Sequence, residues 1–384
     1  MNNILSDSLL LRLNRKNSIL LVTSIFPPQP GGPAIFTARF SRWLSKSNLC
    51  HKVITYAVTP DDGVSEIDVI KISLNKNRLL AFFKMIFLII VNSNKQTTIL
   101  SNGAFIETYL ASKIAKRRYI IKLPGDQLWE FSKNKKWTNK NIEQFQFENL
   151  NFFQTILRYF FNLAYKNAEF LITPSNQLSK FARNWGVDAK KIKRINNSVN
   201  PNSFKVLTKA KKKYDVITVC RLVPWKGLEE LVTTCIKMRL TLAIVGSGPL
   251  KKDLEILASH KNDKILLLGD FSNLEIVDLL NSSKIFVLNS EYEATSYALI
   301  EAKMSGMPTI ARKTDGSCTV IRNNIDGFLY SGKPGDNLST ALDKILSNKI
   351  KMKDFGARAR EDALLRFNEE INFKKIFQLM EKCE

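Results

Sequence analysis

Short apolar runs rich in Val, Ile and Leu alternate along the chain with longer segments in which apolar residues recur at helical spacing. Such runs are typical of buried parallel strands, and the segments between them favour amphipathic helices. In the first half, the predicted strands are residues 18–23, 52–57, 98–101, 118–123 and 169–173. In the second half, they are residues 215–220, 241–245, 264–268, 284–289, 307–311 and 327–330. The alternation predicts an α/β protein with two doubly wound domains.

The second half also shows clear helical patterns, and its borders suggest the domain organisation. The predicted helices are residues 227–238, 249–260, 273–282, 296–305 and 337–347. Residues 198–215 are polar, basic and weakly patterned, which indicates an interdomain linker. We therefore expect a first domain at 1–200, a second at 201–365 and a C-terminal helix at 366–384 that packs back towards the first domain. Two such sheets that face each other would form a cleft at the carboxyl ends of their strands, where ligands bind.

Charge narrows the classes of partner. The 384 residues carry a net charge of +23, and the excess lies mainly in residues 1–200, with 29 Lys and Arg against 12 Asp and Glu. Residues 201–384 have 29 against 23. This balance predicts an anionic partner, such as a phosphorylated ligand, an acidic membrane surface or nucleic acid, although a lysine-rich proteome would give the same excess. We find no aromatic and basic interleaving of the kind that nucleic-acid modules use, so we expect no nucleic acid.

The sequence disfavours a metal-binding protein and a membrane-spanning protein. Five scattered cysteines and two histidines show no zinc-ligand spacing, so we expect reduced thiols, no metal and no cofactor. The N-terminal stretch 1–26 lacks the order of a signal peptide. The longest apolar run, residues 79–91, contains Lys84 and is too short to span a bilayer. These features predict a cytoplasmic protein that could lie on a membrane without crossing it.

Polar and glycine residues at strand ends suggest a phosphate site. Arg221 immediately follows a predicted strand and Lys226 precedes a predicted helix, an arrangement suited to clamping a diphosphate. Gly31 and Gly32 follow the first strand, where paired glycines let backbone approach a phosphate or a sugar. The alternatives are two solvated cations and a surface turn.

Two further strand ends carry weaker signals. Gly246 and Gly248 resemble part of a dinucleotide fingerprint, but position 251 is lysine, so a tight turn near a ligand is the better interpretation. Gly269 and Phe271 follow another strand, and backbone there could meet a nucleobase.

Two carboxylates flank a predicted helix start in "NSEYEATSYALIEAKMSGMP", residues 289–308. Glu293 lies in the loop, Thr295 or Ser296 is the expected N-cap, and Glu301 lies inside the helix about 10 Å further along. The free N–H groups near 294–297 favour an anion. This pattern suits a nucleotide sugar, with the diphosphate at the helix N-terminus and each carboxylate accepting hydroxyls of one sugar ring. The alternative is that Glu301 only decorates an amphipathic helix.

The segments "CRLVPWKG", "VGSGP", "GDF", "NSEYEATSYALIEAKMSGMPTIARKTDGS" and "DGFLY" together resemble the donor-binding half of retaining group 1 glycosyltransferases of the GT-B fold. Glu293 and Glu301 match the family's Glu-x7-Glu signature. In the first half, "FPPQPGG", "ITPS" and "INNSVNPNSF" extend the resemblance over most of the chain. The resemblance implies two facing Rossmann-like domains, a nucleotide-sugar donor, a glycan or lipid-linked acceptor and metal-independent transfer with retention.

The resemblance also implies roles for individual residues. Arg221 and Lys226 would neutralise the diphosphate, Glu293 would contact the transferred sugar, Glu301 the ribose, and the Gly31–Gly32 loop would approach the phosphates. Gly246, Phe271, Ala294, Thr295 and Ser296 complete the expected donor site.

The sequence departs from the family pattern at two places. Ala294 replaces a commoner glycine, and "KLPGDQLWE" lacks the family's histidine. Asp126 could orient hydroxyls there, or could equally be a turn residue.

Two apolar and basic segments of the first half, 75–95 and 151–169, suggest docking on the inner membrane leaflet, although both could equally be core helices. Lys76, Arg78, Lys84 and Lys95 supply the charge of the first segment.

The leading hypothesis is thus a glycosyltransferase of cell-surface polysaccharide or lipopolysaccharide synthesis. The alternatives are a nucleotide-sugar epimerase of the same fold, a basic nucleic-acid-binding protein, and a glycan-binding module derived from an enzyme.

Overall fold

The computed structural model describes residues 18–57, 67–74, 77–207, 210–259 and 264–383. The N-terminal stretch that lacks signal-peptide order lies mostly outside the described residues, as do Lys76 and His260. The chain forms two compact units, Met1–Ile195 with Phe373–Glu384, and Asn196–Asn372.

The first unit contains a parallel sheet of seven strands. The strands are β1 (Ile19–Thr23), β2 (His51–Ala57), β3 (Val69–Ser73), β4 (Thr98–Asn102), β5 (Tyr119–Lys122), β6 (Phe170–Thr173) and β7 (Ile192–Arg194), in the order β3-β2-β1-β4-β5-β6-β7. The helices are α1 (Gly32–Lys46), α2 (Arg78–Val91), α3 (Phe105–Ala115), α4 (Gln127–Asn134), α5 (Ile142–Phe145), α6 (Phe152–Asn167) and α7 (Asn176–Asn184). Because chain connections from β1 to β2 and from β4 to β5 run in opposite directions, right-handed crossovers place α1 opposite α3 and α6.

Contacts agree with this layering. Helix α3 packs against both α2 and α6, so these three helices form one layer. On the side of α1, Phe36, Phe40 and Trp43 pack against Phe373, whose ring meets all three edge-on. Phe373 belongs to the last helix, α15 (Glu369–Glu381), whose final part completes the first unit.

The second unit contains a parallel sheet of six strands. The strands are β8 (Tyr214–Val219), β9 (Leu242–Val245), β10 (Ile265–Gly269), β11 (Ser283–Leu288), β12 (Thr309–Arg312) and β13 (Phe328–Tyr330), in the order β10-β9-β8-β11-β12-β13. The helices are α8 (Leu228–Lys237), α9 (Lys251–Ser259), α10 (Asn273–Asn281), α11 (Tyr297–Met304), α12 (Asp315–Val320), α13 (Leu338–Leu346) and α14 (Lys349–Arg366).

The core of the second unit lies on both faces of its sheet. Val216 and Ile217 are neighbours on β8, yet they belong to different apolar clusters. Successive side chains of a strand point to opposite faces, so each central strand must be apolar on both sides. This explains why these strands appear in the sequence as continuous apolar runs.

Both predicted α/β sheets are therefore present, and each strand predicted from an apolar run is found within two residues. The strands β3 and β7 were not predicted. They form the two edges of the first sheet, where most of their residues are only half-buried, so they lack a continuous apolar signature.

The predicted linker is packed rather than free. Val199 and Phe204 are buried, and the guanidinium of Arg360 donates to the carbonyl oxygens of Phe204 and Met304. A prediction from composition cannot show that backbone carbonyl oxygens bind an arginine, or that a few apolar side chains enter a core.

Candidate active site

The loops that follow β8 and β11 are fastened to each other at the carboxyl edge of the second sheet. The side-chain amide of Asn289 donates to the carbonyl oxygen of Gly227 at 2.7 Å and to the carboxylate of Glu230 at 3.0 Å. The backbone N–H of Glu291 donates to the carbonyl oxygen of Trp225 at 2.8 Å. These bonds hold the Glu293 loop against the Lys226 turn, as expected for neighbouring strands of a parallel sheet.

A buried tyrosine completes this fastening. The hydroxyl of Tyr330 donates to Asn289 Oδ1, and burial raises the pKa of Tyr330, so the group stays a donor at neutral pH. Asn289 thus uses its oxygen and its nitrogen at once, which fixes the start of the loop.

Lys226 and Glu293 form an ion pair. Lys226 ends a short 3₁₀ turn (Pro224–Lys226), and its ammonium contacts Glu293 Oε1, which also accepts from Ser290 Oγ at 2.9 Å. Their side chains are only 14% and 11% exposed. The sequence predicted separate contacts to a donor, and the structure places the two charges side by side. One ligand of ordinary size could therefore touch both.

Arg221 lies two residues beyond the end of β8 and is exposed. Within the described part of the chain its guanidinium makes no ion pair, which leaves its charge open to a ligand. The preceding Cys220 is no candidate nucleophile, because burial raises the pKa of its thiol to about 11.

The glycines after β9 press against the segment that carries Arg221. A Cβ atom on Gly246 would lie 2.0 Å from the Cys220 carbonyl oxygen, and one on Gly248 would lie 2.5 Å from that of Leu222. Gly246 also has a φ of 128°. These glycines therefore allow two loops to pass closely, so their observed role is structural.

Helix α11 begins beside Glu293. Ser296 is its N-cap, and its hydroxyl oxygen accepts a hydrogen bond from the N–H of Leu299 at 3.3 Å. Thr295 is buried, and its carbonyl oxygen accepts a hydrogen bond from the side-chain amide of Asn197. The prediction that Thr295 or Ser296 caps this helix is confirmed. Ala294 lies between Glu293 and this cap, at the positive end of the helix dipole.

Glu301 lies one turn into α11 and is buried, with 6% of its surface exposed. The alternative of an exposed, decorative glutamate on an amphipathic helix is therefore wrong. A buried carboxylate requires polar partners, because its desolvation is costly. Its position on the same helix as Ser296 is compatible with the predicted contact to a ribose.

Sequence analysis did not predict a buried ionic cluster around Lys303, a residue of α11. Lys303 is fully buried, and its ammonium contacts Asp326 at 3.0 Å, Asp362 at 2.6 Å and the carbonyl oxygen of Val320 at 2.7 Å. Arg322 and Arg366 bind the same two carboxylates. Burial lowers the pKa of Lys303, and the two carboxylates oppose that shift. In the sequence, Lys303 could not be told from a solvated lysine.

Phe271 follows β10 and is half-buried, where its ring packs against the core of the second unit. The carbonyl oxygen of Gly269 accepts the N–H of Gly246 at 2.8 Å, so the loops after β9 and β10 are also joined. The predicted contact of Phe271 with a nucleobase stays a prediction.

In the first unit, Gly31 and Gly32 form the start of α1. Gly31 has a φ of 149°, and no side chain caps this helix. The first turn of α1 thus has no side-chain cap, and the predicted approach of this loop to a phosphate stays a prediction.

Asp126 serves as the N-cap of α4. One oxygen accepts the N–H groups of Leu128 and Trp129, and the other accepts from Gln146 at 2.9 Å and Arg158 at 3.2 Å. With both oxygens occupied and 2% of its surface exposed, the residue fits the turn alternative better than contact with a substrate hydroxyl.

The arrangement of the second unit agrees with its sequence relatives. Residues 199–362 match the family model described as "Glycosyl transferases group 1". These residues belong to the group 1 glycosyltransferases. The matched segment contains Arg221, Lys226, Glu293 and Glu301, so the site described above lies within the group 1 domain.

Individual relatives of this chain are distant. A UDP-Gal:α-D-GlcNAc-diphosphoundecaprenol α-1,3-galactosyltransferase of Escherichia coli is 29% identical over 43% of this chain and 47% of its own length. An N,N'-diacetylbacillosaminyl-diphospho-undecaprenol α-1,3-N-acetylgalactosaminyltransferase of Campylobacter jejuni is 25% identical over 60% of this chain and 65% of its own length. The chain thus spans about half to two thirds of the length of these curated relatives.

Solved structures resemble the chain over nearly its whole length. HepE of Anabaena, in complex with UDP, has a TM-score of 0.75 at 20% identity and covers 95% of this chain and 100% of its own. Sucrose-phosphate synthase of Thermosynechococcus elongatus has a TM-score of 0.79 at 17% identity and covers 96% and 99%. At these identities the likeness shows the fold, which is GT-B as predicted.

Proposed function

We propose that this chain is a retaining glycosyltransferase that moves a sugar from a nucleotide-sugar donor to a glycan or lipid-linked saccharide in cell-surface polysaccharide synthesis. One observation carries the proposal. At the carboxyl edge of the second sheet, the Lys226–Glu293 pair lies beside the start of α11. Arg221, exposed and without an ion pair among the described residues, follows a neighbouring strand.

The cations suit the leaving group. When the glycosidic bond of a nucleotide sugar breaks, negative charge grows on the diphosphate, and fixed positive groups stabilise that charge best. Arg221 and Lys226 supply two such charges, and the first N–H groups of α11 add the positive end of a helix dipole. No protein nucleophile is required, because the acceptor can attack an oxocarbenium-like sugar on the face that the diphosphate leaves.

The carboxylates suit the two sugar rings. Glu293 lies in the loop and can accept hydroxyls of the transferred sugar, while its contact with Lys226 offsets its repulsion from the diphosphate. Glu301 is assigned to the ribose. In the same proposal, Phe271 contacts the base and the Gly31–Gly32 loop approaches the phosphates, whereas Asp126 keeps its structural role.

The acceptor is assigned to the first domain, residues 1–200, and the donor to the second, residues 201–365. Two relatives are named for acceptors joined to undecaprenol through a diphosphate. These names support a lipid-linked saccharide as the acceptor class and a location at the inner face of a membrane. They do not select one nucleotide, since other relatives are named for GDP-mannose.

A donor panel tests the proposal. The thermal stability of the protein would be measured with UDP-, GDP-, ADP- and CMP-sugars. A ligand at about 100 times its Kd stabilises a protein by about 2.7 kcal/mol, so one nucleotide class should raise Tm clearly. The double variant Arg221→Ala/Lys226→Ala should lose this shift and the sugar transfer.

Lys284→Ala is a matched control, because Lys284 lies at the opposite end of β11 and its surface pair with Asp215 is of little energetic weight. A donor shift that survives unchanged in the double variant would refute the clamp. Turnover of the donor sugar to an epimer without any acceptor would support the epimerase alternative.

A further inference from the structure

Helix α2 carries an apolar stripe on its solvent face. Leu80, Phe83, Phe87 and Val91 are 66%, 57%, 61% and 56% exposed, and they follow one another at intervals of three or four residues. This spacing places them on one side of the helix. The opposite side is buried against the first unit, so this helix is apolar on both faces.

Helix α6 repeats the feature. Phe152, Phe153 and Tyr159 are 73%, 66% and 61% exposed, and Ile156 between them is 39% exposed. Since α3 packs against both helices, α2, α3 and α6 form a single layer of the first unit. On α3 itself, Ile114 is 67% exposed. We call the exposed apolar residues of these three helices the apolar face.

The charge of this layer has one dominant sign. Neither α2 nor α6 contains an aspartate or glutamate. Exposed cations lie on α2 and α3 or within four residues of their C-terminal ends, namely Arg78, Lys84, Lys95, Lys113 and Lys116. Glu107 of α3 accepts the hydroxyl of Tyr56 at 2.7 Å, and burial raises the pKa of its carboxyl. An apolar surface with a cationic rim matches the headgroup region of an anionic bilayer.

Two other occupants fit less well. A spanning helix needs about 20 residues, whereas α2 has 14 and is about 21 Å long. Within the described residues, no helix combines the length and the apolarity that a bilayer crossing requires. A second copy of the chain, related by a two-fold axis, would bring two cationic rims together, and like charges across an interface are unfavourable.

We propose that the apolar face docks on a bilayer that contains anionic lipid, with the exposed side chains of α2 and α6 inserted between headgroups and the cations paired with phosphates. The site would place the first unit on the membrane independently of any donor. The inference rests on the membrane location proposed above and deepens it by naming the surface that docks, and it needs no sugar transfer.

Vesicle co-sedimentation tests this surface in the full-length protein without nucleotide sugar. We expect binding to equimolar phosphatidylglycerol and phosphatidylcholine, and much weaker binding to phosphatidylcholine alone or at high salt, where charges are screened. Phe83→Ser/Phe87→Ser should lower partitioning at least roughly tenfold, because it removes two large inserted side chains. Arg78→Glu/Lys84→Glu should do the same by reversing charge on the apolar face.

Matched controls come from α14 of the second unit. Ile350→Ser/Leu365→Ser removes two side chains that are 85% and 69% exposed, and Lys349→Glu/Lys353→Glu reverses two exposed charges. Both should partition like the wild type.

Three results would overturn the proposal. The first is that the wild type does not bind anionic vesicles, and the second is that the α14 controls lose vesicle binding to the same extent. The third is that light scattering shows a wild-type dimer that Phe83→Ser/Phe87→Ser converts to a monomer. Since these assays contain no donor, their failure would leave the donor panel unaffected.

Discussion

Replacing Lys303 by methionine tests whether the buried ionic cluster holds helix α11 in place. Methionine has a similar length but no charge, so Asp326 and Asp362 would lose their shared ammonium while they stay buried. Removing one partner of a buried pair costs about 3–5 kcal/mol, because an uncompensated charge is left in the interior. Arg322 still contacts Asp326 and Arg366 still contacts Asp362, so we expect the lower end, about 3 kcal/mol.

This loss is measurable by calorimetry or urea unfolding. In a domain of about 150–250 residues each kcal/mol lowers Tm by about 2–4 °C, so the transition of the second unit should fall by about 6–12 °C. Arg358→Ala is the matched control, because its pair with Asp354 on α14 is half-exposed and such i,i+4 pairs contribute only about 0.3–0.5 kcal/mol.

The variant also has a functional consequence. Helix α11 carries both the N-cap Ser296 and Glu301, so its displacement should weaken nucleotide binding as well as stability. If Lys303→Met unfolds at the temperature of Arg358→Ala, the cluster does not stabilise this helix and the reasoning is refuted.

Three further predictions concern separate parts of the chain. Burial lowers the pKa of Lys122 to about 7. Between that value and the unfolded pKa of about 10.4 the unfolded chain binds more protons than the folded chain, so the free energy of unfolding rises with pH. Lys122→Met should therefore raise Tm more at pH 7 than at pH 10, and an equal gain at both pH values would contradict this. Gly246→Ala should lower the Tm of the second unit more than Gly335→Ala does. Both glycines have a positive φ, but of the two only Gly246 would place a Cβ atom against backbone. Equal losses would show that backbone strain alone matters. Glu301→Gln should weaken nucleotide affinity in calorimetric titration, whereas Glu293→Gln should lower kcat more than affinity, and the reverse pattern would exchange their roles.

The sequence was a sufficient guide wherever a local pattern reports burial on both faces. Central strands such as β9 and β11 contain runs of four apolar residues, Leu242–Val245 and Ile285–Leu288, and helix α11 has an N-cap residue directly before its apolar run. Each of these signals lies within about ten consecutive residues. The edge strand β7 has three residues that are only partly buried or exposed, so no such signal exists for it.

Partners that are distant in the chain could not be deduced in the same way. Asp126 meets Arg158, Lys226 meets Glu293, and Lys303 meets Asp362, across separations of 32, 67 and 59 residues. A carboxylate in a turn has the same sequence context whether it caps a helix or contacts a substrate. Only the folded chain decides which of its oxygens remain available.

The sequence by itself therefore determined the two α/β sheets, the group 1 family resemblance and the residues at the strand ends, because these follow from apolar periodicity and motif order. The tertiary structure alone decided that Lys303 is a buried charge, that the Gly246 turn is a close loop contact, and that the stripe on α2 faces solvent. The physical reason is that burial and pairing depend on which segments meet across the sheet, and the periodicity of one segment contains no information about its neighbours.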